Sequence, residues 1–290
     1  MNRKWFQALA MCGCRLRAER WFIESRFHER FGRPIDWDNP RTFNEKIQWL
    51  KLYYRHPRLP QLADKVRVRE FIRQRVGDEY VMPVLGIYGS VRAFAKALPA
   101  LPDDFIIKAN HASGWNMFVR GKHTLTRRSF RRLRRWLGRS YYYRTFEWVY
   151  RGIKPKLVVE PLIEPLVPNR EPIDYRVFCY GGKPKWVQAD CDRFSGHYRG
   201  LFTTDWTPLD VEMRVPRSVK PIAPPSRLDE ILKVAAALSE GLPFLRVDTY
   251  CEGRVQVGEL TLYPANGLCV FTPAWGNELF GEDLELREFP

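Results

Sequence analysis

Four side chains near the end of a 290-residue chain have the types and spacing for phosphate and metal chemistry. In LRVDTYCEGRVQVGELTLYP (245–264), two strands flank Glu252–Gly253. Taking that pair as a two-residue turn sets Tyr250 opposite Val255, Asp248 opposite Val257 and Arg246 opposite Glu259. Opposed residues share a face, so Arg246, Asp248, Glu259 and Thr261 project together. The two carboxylates are then diagonal neighbours, about 7–8 Å apart at the backbone. Glu259 also falls in a row with Val255, Val257 and Tyr263, which reads as a covered face. Covering two carboxylates without matching positive charge costs several kcal/mol per ion. Arg246 offsets one, and a hard divalent cation, Mg²⁺ rather than zinc, suits the oxygen donors. The alternative is an Arg246–Glu259 ion pair on a solvated face, worth about 0–1 kcal/mol. A three-residue turn would put the carboxylates on opposite faces.

A second group lies in FIIKANHASGWN (105–116). Lys108 ends an apolar strand, and Asn110, Ser113, Gly114 and Asn116 make a turn of little bulk whose backbone N–H groups could approach phosphate oxygens. A snorkelling lysine beside an ordinary turn is the alternative. LVVEPLI carries Glu160 at the end of another apolar run, a weak signal by itself.

The elements that must position these groups follow from periodicity. Residues 1–60 read as helical, broken at GRPIDWDNPRTF, with Asn44, Ile47, Leu50 and Leu52 continuing a helical pattern. Residues 61–78 read as one basic amphipathic helix closed by Gly77, and 91–98 as a further helix. Strands follow, with DYRVFCYGGKPKWVQAD as a hairpin turning at Gly181–Gly182. LDEILKVAAALSEG reads as a helix lined by Leu228, Ile231, Leu232, Ala235 and Leu238. Helices followed by antiparallel strands mixed with helices indicate an α+β fold rather than a βαβ array. The GxGxxG and GxxxxGK[ST] fingerprints are absent.

Composition narrows the partners. Forty-five per cent hydrophobic residues support a sizeable core, and a net charge of +15 favours anionic partners: nucleotides, acidic polysaccharide, nucleic acid or an anionic membrane face. Six cysteines without a CxxC pair read as reduced thiols of a cytosolic protein. MNRK followed by WFQALAMCGC reads as the first helix; a targeting signal and an in-plane membrane helix are the alternatives. The run TRRSFRRLRRWLGRSYYYR places Phe130, Leu133 and Leu137 on one helical stripe and its arginines outward. That face is solvated by default, with membrane or acidic-polymer docking and base stacking as alternatives. RRM, KH and helix-turn-helix signatures are absent, so no nucleic-acid partner is expected.

In order, FNEKIQWLK, ADKVRVREFI, FIIKANHASGWN, DYRVFCYGGKP and VGELTLYPANG resemble the TupA-like branch of the ATP-grasp superfamily, linked to teichuronopeptide and surface-polysaccharide synthesis. The resemblance spans about 40–285. It implies two α+β lobes with ATP between them: a helical region at 1–60, a small lobe at 61–165 and a large lobe at 166–290. By the same resemblance, Lys65 and Lys108 meet the phosphates, and His111, Ser113, Gly114, Trp115 and Asn116 form the loop over them. Glu160, Pro161, Leu162 and Ile163 match the adenine hinge, and Asp174 the ribose-binding acid. Arg246 lies beside the transferring phosphate, and Asp248 and Glu259 hold Mg²⁺. Ligases such as D-alanine–D-alanine ligase carry Asn two positions after that Glu, where this chain has Thr261, with Asn266 nearby. The implied activity is an ATP- and Mg²⁺-dependent carboxylate–amine ligase forming an acyl phosphate. Its partners would be an anionic polysaccharide or sugar acceptor and an amino acid or amine, in the cytoplasm or at the inner membrane face. Arg193, His197 and Arg199 are candidates for the anionic acceptor. A glycosyltransferase or kinase of the same pathway, or a non-catalytic basic binding protein, are the alternatives.

Overall fold

The structure, a computed structural model, describes residues 15–165, 171–218 and 220–286; the first helix expected within 1–14 lies outside them. Helix α1 (Arg15–Phe31) precedes α2 (Phe43–Tyr53). Thr42 and Glu45 cap α2 reciprocally, which satisfies N–H groups the first turn leaves unpaired. Phe43, Ile47 and Leu50 enter the main core, while Ile23, Phe27, Ile35 and Leu52 form a satellite cluster under α1.

The single helix expected over 61–78 is two helices, α3 (Leu59–Ala63) and α4 (Val68–Val76). Asp64 makes the break. Asp64 leaves helical geometry (φ −83°, ψ 109°), and its Oδ1 accepts from Val66 N at 2.9 Å and from Asn110 Nδ2 at 2.9 Å. Aspartate competes for backbone donors in this way and so favours turns over helix interiors. The turn delivers Lys65 to the strand end beside Asn110, whose carbonyl accepts from Lys65 N at 3.2 Å.

Two large antiparallel sheets follow, beside a small one that pairs β8 (Glu212–Met213) with β11 (Phe271–Thr272). The first has β1 (Gly86–Tyr88), β4 (Leu157–Glu160), β2 (Phe105–Ala109) and β3 (Asn116–Val119) in that spatial order. Helices α5 (Val91–Ala97) and α6 (Arg127–Leu137) belong to the same half. Phe105, Ile107, Ala109, Leu157 and Val159 point into the core, which leaves Ile106, Lys108, Asn116, Phe118 and Glu160 on the other face. Leu133 and Trp136 anchor α6 with Phe130 partly covered, and its arginines stay exposed, as the stripe predicts. The second sheet orders β10 (Arg254–Thr261), β9 (Phe244–Glu252), β5 (Asp174–Tyr180), β6 (Lys183–Cys191) and β7 (Tyr198–Thr203). Its hairpin turns at Gly181–Gly182, both at positive φ, as a two-residue turn of that hand requires. Helix α8 (Leu228–Ser239), which follows the short α7 (Tyr142–Thr145), packs Ile231, Val234, Ala235 and Leu238 into the core. Among the described residues no helix is long and apolar enough to cross a membrane, and Cys179, Cys191, Cys251 and Cys269 are buried.

The β9–β10 register departs from the two-residue turn. Arg254 pairs with Glu252 and Val257 with Thr249; the pairing then slips, and Glu259 lies directly opposite Asp248 and Thr261 opposite Arg246. The slip falls at Gly258, an extra residue that switches sides in the manner of a β-bulge. Before it, Val255 and Val257 face the core; after it, Leu260 and Leu262 do. Glu259 therefore does not share the row of Val255 and Val257. A Cβ at residue 258 would sit 2.8 Å from Cε2 of Tyr250. Gly258→Ala is expected to cost about 1–3 kcal/mol as an overpacking change, read from urea unfolding. An unchanged midpoint would show that the bulge has room for a side chain.

Candidate active site

The polar face of the second sheet and the Lys108 face of the first enclose a cleft of about 570 Å³. That size suits a nucleotide-sized ligand. Lys65, Lys108, Ser113, Gly114 and Asn116 line it from one side. Glu160, Pro161, Leu162 and Ile163 line its inner edge, and Asp174, Arg193, Arg246, Asp248, Glu259 and Thr261 its floor. Four expected residues are elsewhere. His111 is buried, with Nε2 facing the carbonyls of Trp136 and Arg139 at 3.1 Å each and Nδ1 facing Asn110 Oδ1. Burial holds this imidazole below its usual pKa, and its contacts brace the loop. Trp115 stacks on Trp136. Arg199 and His197 attach to Asp190 outside the cleft.

Lys108 Nζ meets Glu160 Oε2 at 2.5 Å, and Arg69 Nη1 meets Oε1 at 3.3 Å while also donating to the Met82 carbonyl. Lys65 Nζ meets Glu259 Oε1 at 2.7 Å and donates to the Ala112 carbonyl at 3.1 Å. This holds the 110–115 loop at its middle, with Gly114 (φ +71°) at the cleft. Arg246 grips Asp248 through Nε and Nη2, at 2.7 and 2.6 Å, and donates to Thr261 Oγ1 at 3.2 Å.

Arg176 joins these groups to the sheet. It contacts Asp174 and Asp190 at 2.7 Å and Asp248 at 3.6 Å. Burial opposes its charge, but the three aspartates hold its pKa well above the ordinary arginine value. Burial likewise raises Asp248 against the pull of Arg246 and Arg176. Burial also opposes the charge on Glu259, but Lys65 with Arg246 and Lys108 brings it below the usual carboxylate range. Glu160, Asp174, Asp248 and Glu259 thus each meet a named cation.

The donor set fits the cation and nucleotide that the sequence implies. Asp248 and Glu259 face each other across one strand pair, and carboxylate and hydroxyl oxygens suit Mg²⁺. Asp174 Oδ1 is buried in the cleft wall without a hydrogen-bond partner, an acceptor that a sugar hydroxyl would satisfy. Asn116 Oδ1 is likewise unpartnered. Asn266, also in the cleft wall, already accepts from the buried Lys51 through Oδ1 at 2.8 Å.

Several cleft residues escaped the sequence reading: Arg176, Glu147, and the Phe118–Phe194 pair, whose ring centroids lie 4.9 Å apart at the cleft mouth; so did Arg69, which meets Glu160 from outside the cleft lining. Arg176 had a signal, since it stands two residues after Asp174 and so on the same strand face. Glu147 had none: it belongs to a short irregular stretch, and only the fold buries it near Lys51. Burial pushes Glu147 up to about 7 and Lys51 down to about 7, against their mutual attraction.

The family model described as TupA-like ATPgrasp matches residues 45–285. Among solved structures the chain is similar to ATP-grasp ligase PsnB complexed with minimal precursor, Mg and ADP, at 14% identity, 90% of this chain, 66% of that one and a TM-score of 0.42. It is similar also to D-alanine–D-alanine ligase from Bacillus anthracis (15% identity, 69% and 57% covered, TM-score 0.39). A third is phosphoribosylamine–glycine ligase from Thermotoga maritima (10% identity, 72% and 50% covered, TM-score 0.41). The chain spans 60–66% of the length of the PsnB chains it matches first. No curated protein matched the sequence.

Proposed function

The chain belongs to the TupA-like ATP-grasp family, and from that premise we propose that it is an ATP- and Mg²⁺-dependent carboxylate–amine ligase. Its product would be an amide on a cell-surface polysaccharide precursor. The observation that carries the reading is the convergence of Lys65, Lys108, Arg246, Asp248 and Glu259 on one cleft between two sheets. We assign 61–165 and 166–290 to the small and large lobes that close on the nucleotide, with 1–60 as a helical region before them.

In the proposed reaction a substrate carboxylate oxygen attacks the γ-phosphorus and ADP leaves. The amine nitrogen then attacks the acyl carbon, and phosphate departs with one former carboxylate oxygen. Lys108 and Lys65 bind phosphate oxygens, each sharing its charge with the carboxylate it already touches. Arg246 stabilises the charge that develops as phosphoryl transfer proceeds, held in place by Asp248 and Thr261. Asp174 takes a ribose hydroxyl through its unpartnered oxygen, and Glu160–Ile163 border the base. Asp248 and Glu259, with Thr261 beside them, would hold Mg²⁺, which neutralises phosphate charge when bound. Phe118 and Phe194 limit water at the mouth.

The test supplies ATP, an amine and a carboxylate labelled with ¹⁸O. ADP release requiring both co-substrates, with label appearing in inorganic phosphate, is the expected result. Phosphate retained on the acceptor would mean a kinase, and ADP release indifferent to the amine would end the ligase reading.

A further inference from the structure

A second groove, of about 690 Å³, lies against the outer side of the segment that walls the cleft; Val149 lines both. Its charged lining is one-sided. Arg15, Arg55, Arg67, Arg151, Lys154 and Lys156 face Glu19 and Asp64. The two acids are already committed. Glu19 pairs with Arg55 at 2.5 Å and accepts from the Tyr142 hydroxyl at 2.8 Å. Asp64 accepts from Asn110 and Val66, as the turn after α3 requires. Arg67, Arg151, Lys154 and Lys156 have no carboxylate partner among the described residues, and Arg15 Nε is buried without a hydrogen-bond partner.

A concave surface holding that many unpaired cations repels itself and concentrates counter-anions. The fold also fixes where these cations sit. Asn110, two residues beyond Lys108, donates to the Lys154 carbonyl at 3.1 Å and accepts from Lys156 N at 2.6 Å. The same residue accepts from Lys65 N. The basic wall of the groove is therefore tied, through one buried amide, to the two lysines of the cleft.

We infer that this groove binds a multivalent anion, a ligand carrying two or more closely spaced phosphate or carboxylate groups. On the ligase reading, on which only this last assignment rests, the anion is the charged portion of the acceptor whose carboxylate enters the neighbouring cleft. Cations on separate long side chains suit several spaced charges better than one. Binding should weaken steeply with salt, because the groove's charges are partly exposed and screened.

The test uses the full chain and needs no turnover. Titrate inorganic pyrophosphate in one arm and a galacturonate hexamer in the other, at low and at high salt, with a neutral maltohexaose as control. The Arg67→Ser/Lys156→Ser double variant is compared with Arg131→Ser/Arg135→Ser on exposed α6, and Mg·ATP binding is measured on each sample. Salt-sensitive binding of either anion, weakened at least tenfold by the groove pair alone, is expected, and the arm that binds names phosphate or carboxylate as the source. Unchanged Mg·ATP affinity in the groove variant keeps this result separate from the fate of the ligase reading. Equal loss in the α6 variant, equal binding of the neutral sugar, or failure of both anions to bind overturns the inference.

Discussion

Asp248→Asn and Glu259→Gln each lose Mg²⁺-dependent ADP release by about a hundred- to a thousandfold while the chain stays folded. The size follows from removing one preorganised charge at a phosphoryl-transfer site. The two carboxylates are not interchangeable. Asp248 is held on both oxygens by Arg246 and touched by Arg176. Its amide variant also frees Arg246, the arginine proposed to face the transferring phosphate. Glu259 is the partner of Lys65, and the structure leaves it more open than Asp248. Glu259→Gln therefore perturbs metal affinity more than arginine placement. Binding separates the effects. Mg·ATP at a hundred times its dissociation constant stabilises a folded protein by about 2.7 kcal/mol. That thermal shift should vanish in Glu259→Gln when Mg²⁺ is present and persist in part for ATP alone, because Lys108 and Lys65 remain. A full shift and full turnover in both variants would remove the metal assignment.

How much of this site was legible in the sequence depends on how local its cause is. The apolar run before Lys108, the Gly181–Gly182 turn and the α8 face are set by neighbours in the chain, and the structure has them where periodicity puts them. The α+β order and the ATP-grasp family were likewise readable from motif order. The hairpin was half readable. Asp248 and Glu259 do share a face, but a two-residue turn is not the reason. A tighter turn alone would have placed Gly258 opposite Asp248, and the bulge at Gly258 restores the parity. Alternation cannot reveal a bulge, because one extra residue shifts every later side chain without changing composition. The 61–78 helix failed for a related reason: Asp64 breaks it by bonding to Asn110, 46 positions away. His111 looked like a site residue through the family resemblance of its loop, and Arg199 through its place in a basic loop. Tertiary contacts instead bury one under α6 and pair the other with Asp190.

Asp190 gives the second large effect, on stability. Its side chain is fully buried, with Arg176 at 2.7 Å on one side and Arg199 at 2.5 Å on the other. Arg176 keeps Asp174 and Asp248 if Asp190 is lost; among the described residues Arg199 keeps only the Met213 carbonyl. Asp190→Asn should therefore cost about 3–5 kcal/mol, the usual consequence of leaving a buried charge without its partner. Replacing both members, Asp190→Leu with Arg199→Met, should recover most of that loss, since an apolar pair of similar volume is often neutral. The pH dependence has a definite sign. Burial opposes ionisation of Asp190, yet the two arginines hold its folded pKa well below the ordinary 3.8. Its contribution is complete above that value and fades as pH falls toward the folded pKa. The gap between wild type and Asp190→Asn should thus be constant from pH 7 to about 5 and narrow below about 4. Urea unfolding at each pH measures it. A loss under about 1 kcal/mol at pH 7, or a gap that widens in acid, would mean that the ion cluster does not hold β6 and β7 to the cleft floor. In that case Arg176 would have to position Asp248 without support from behind.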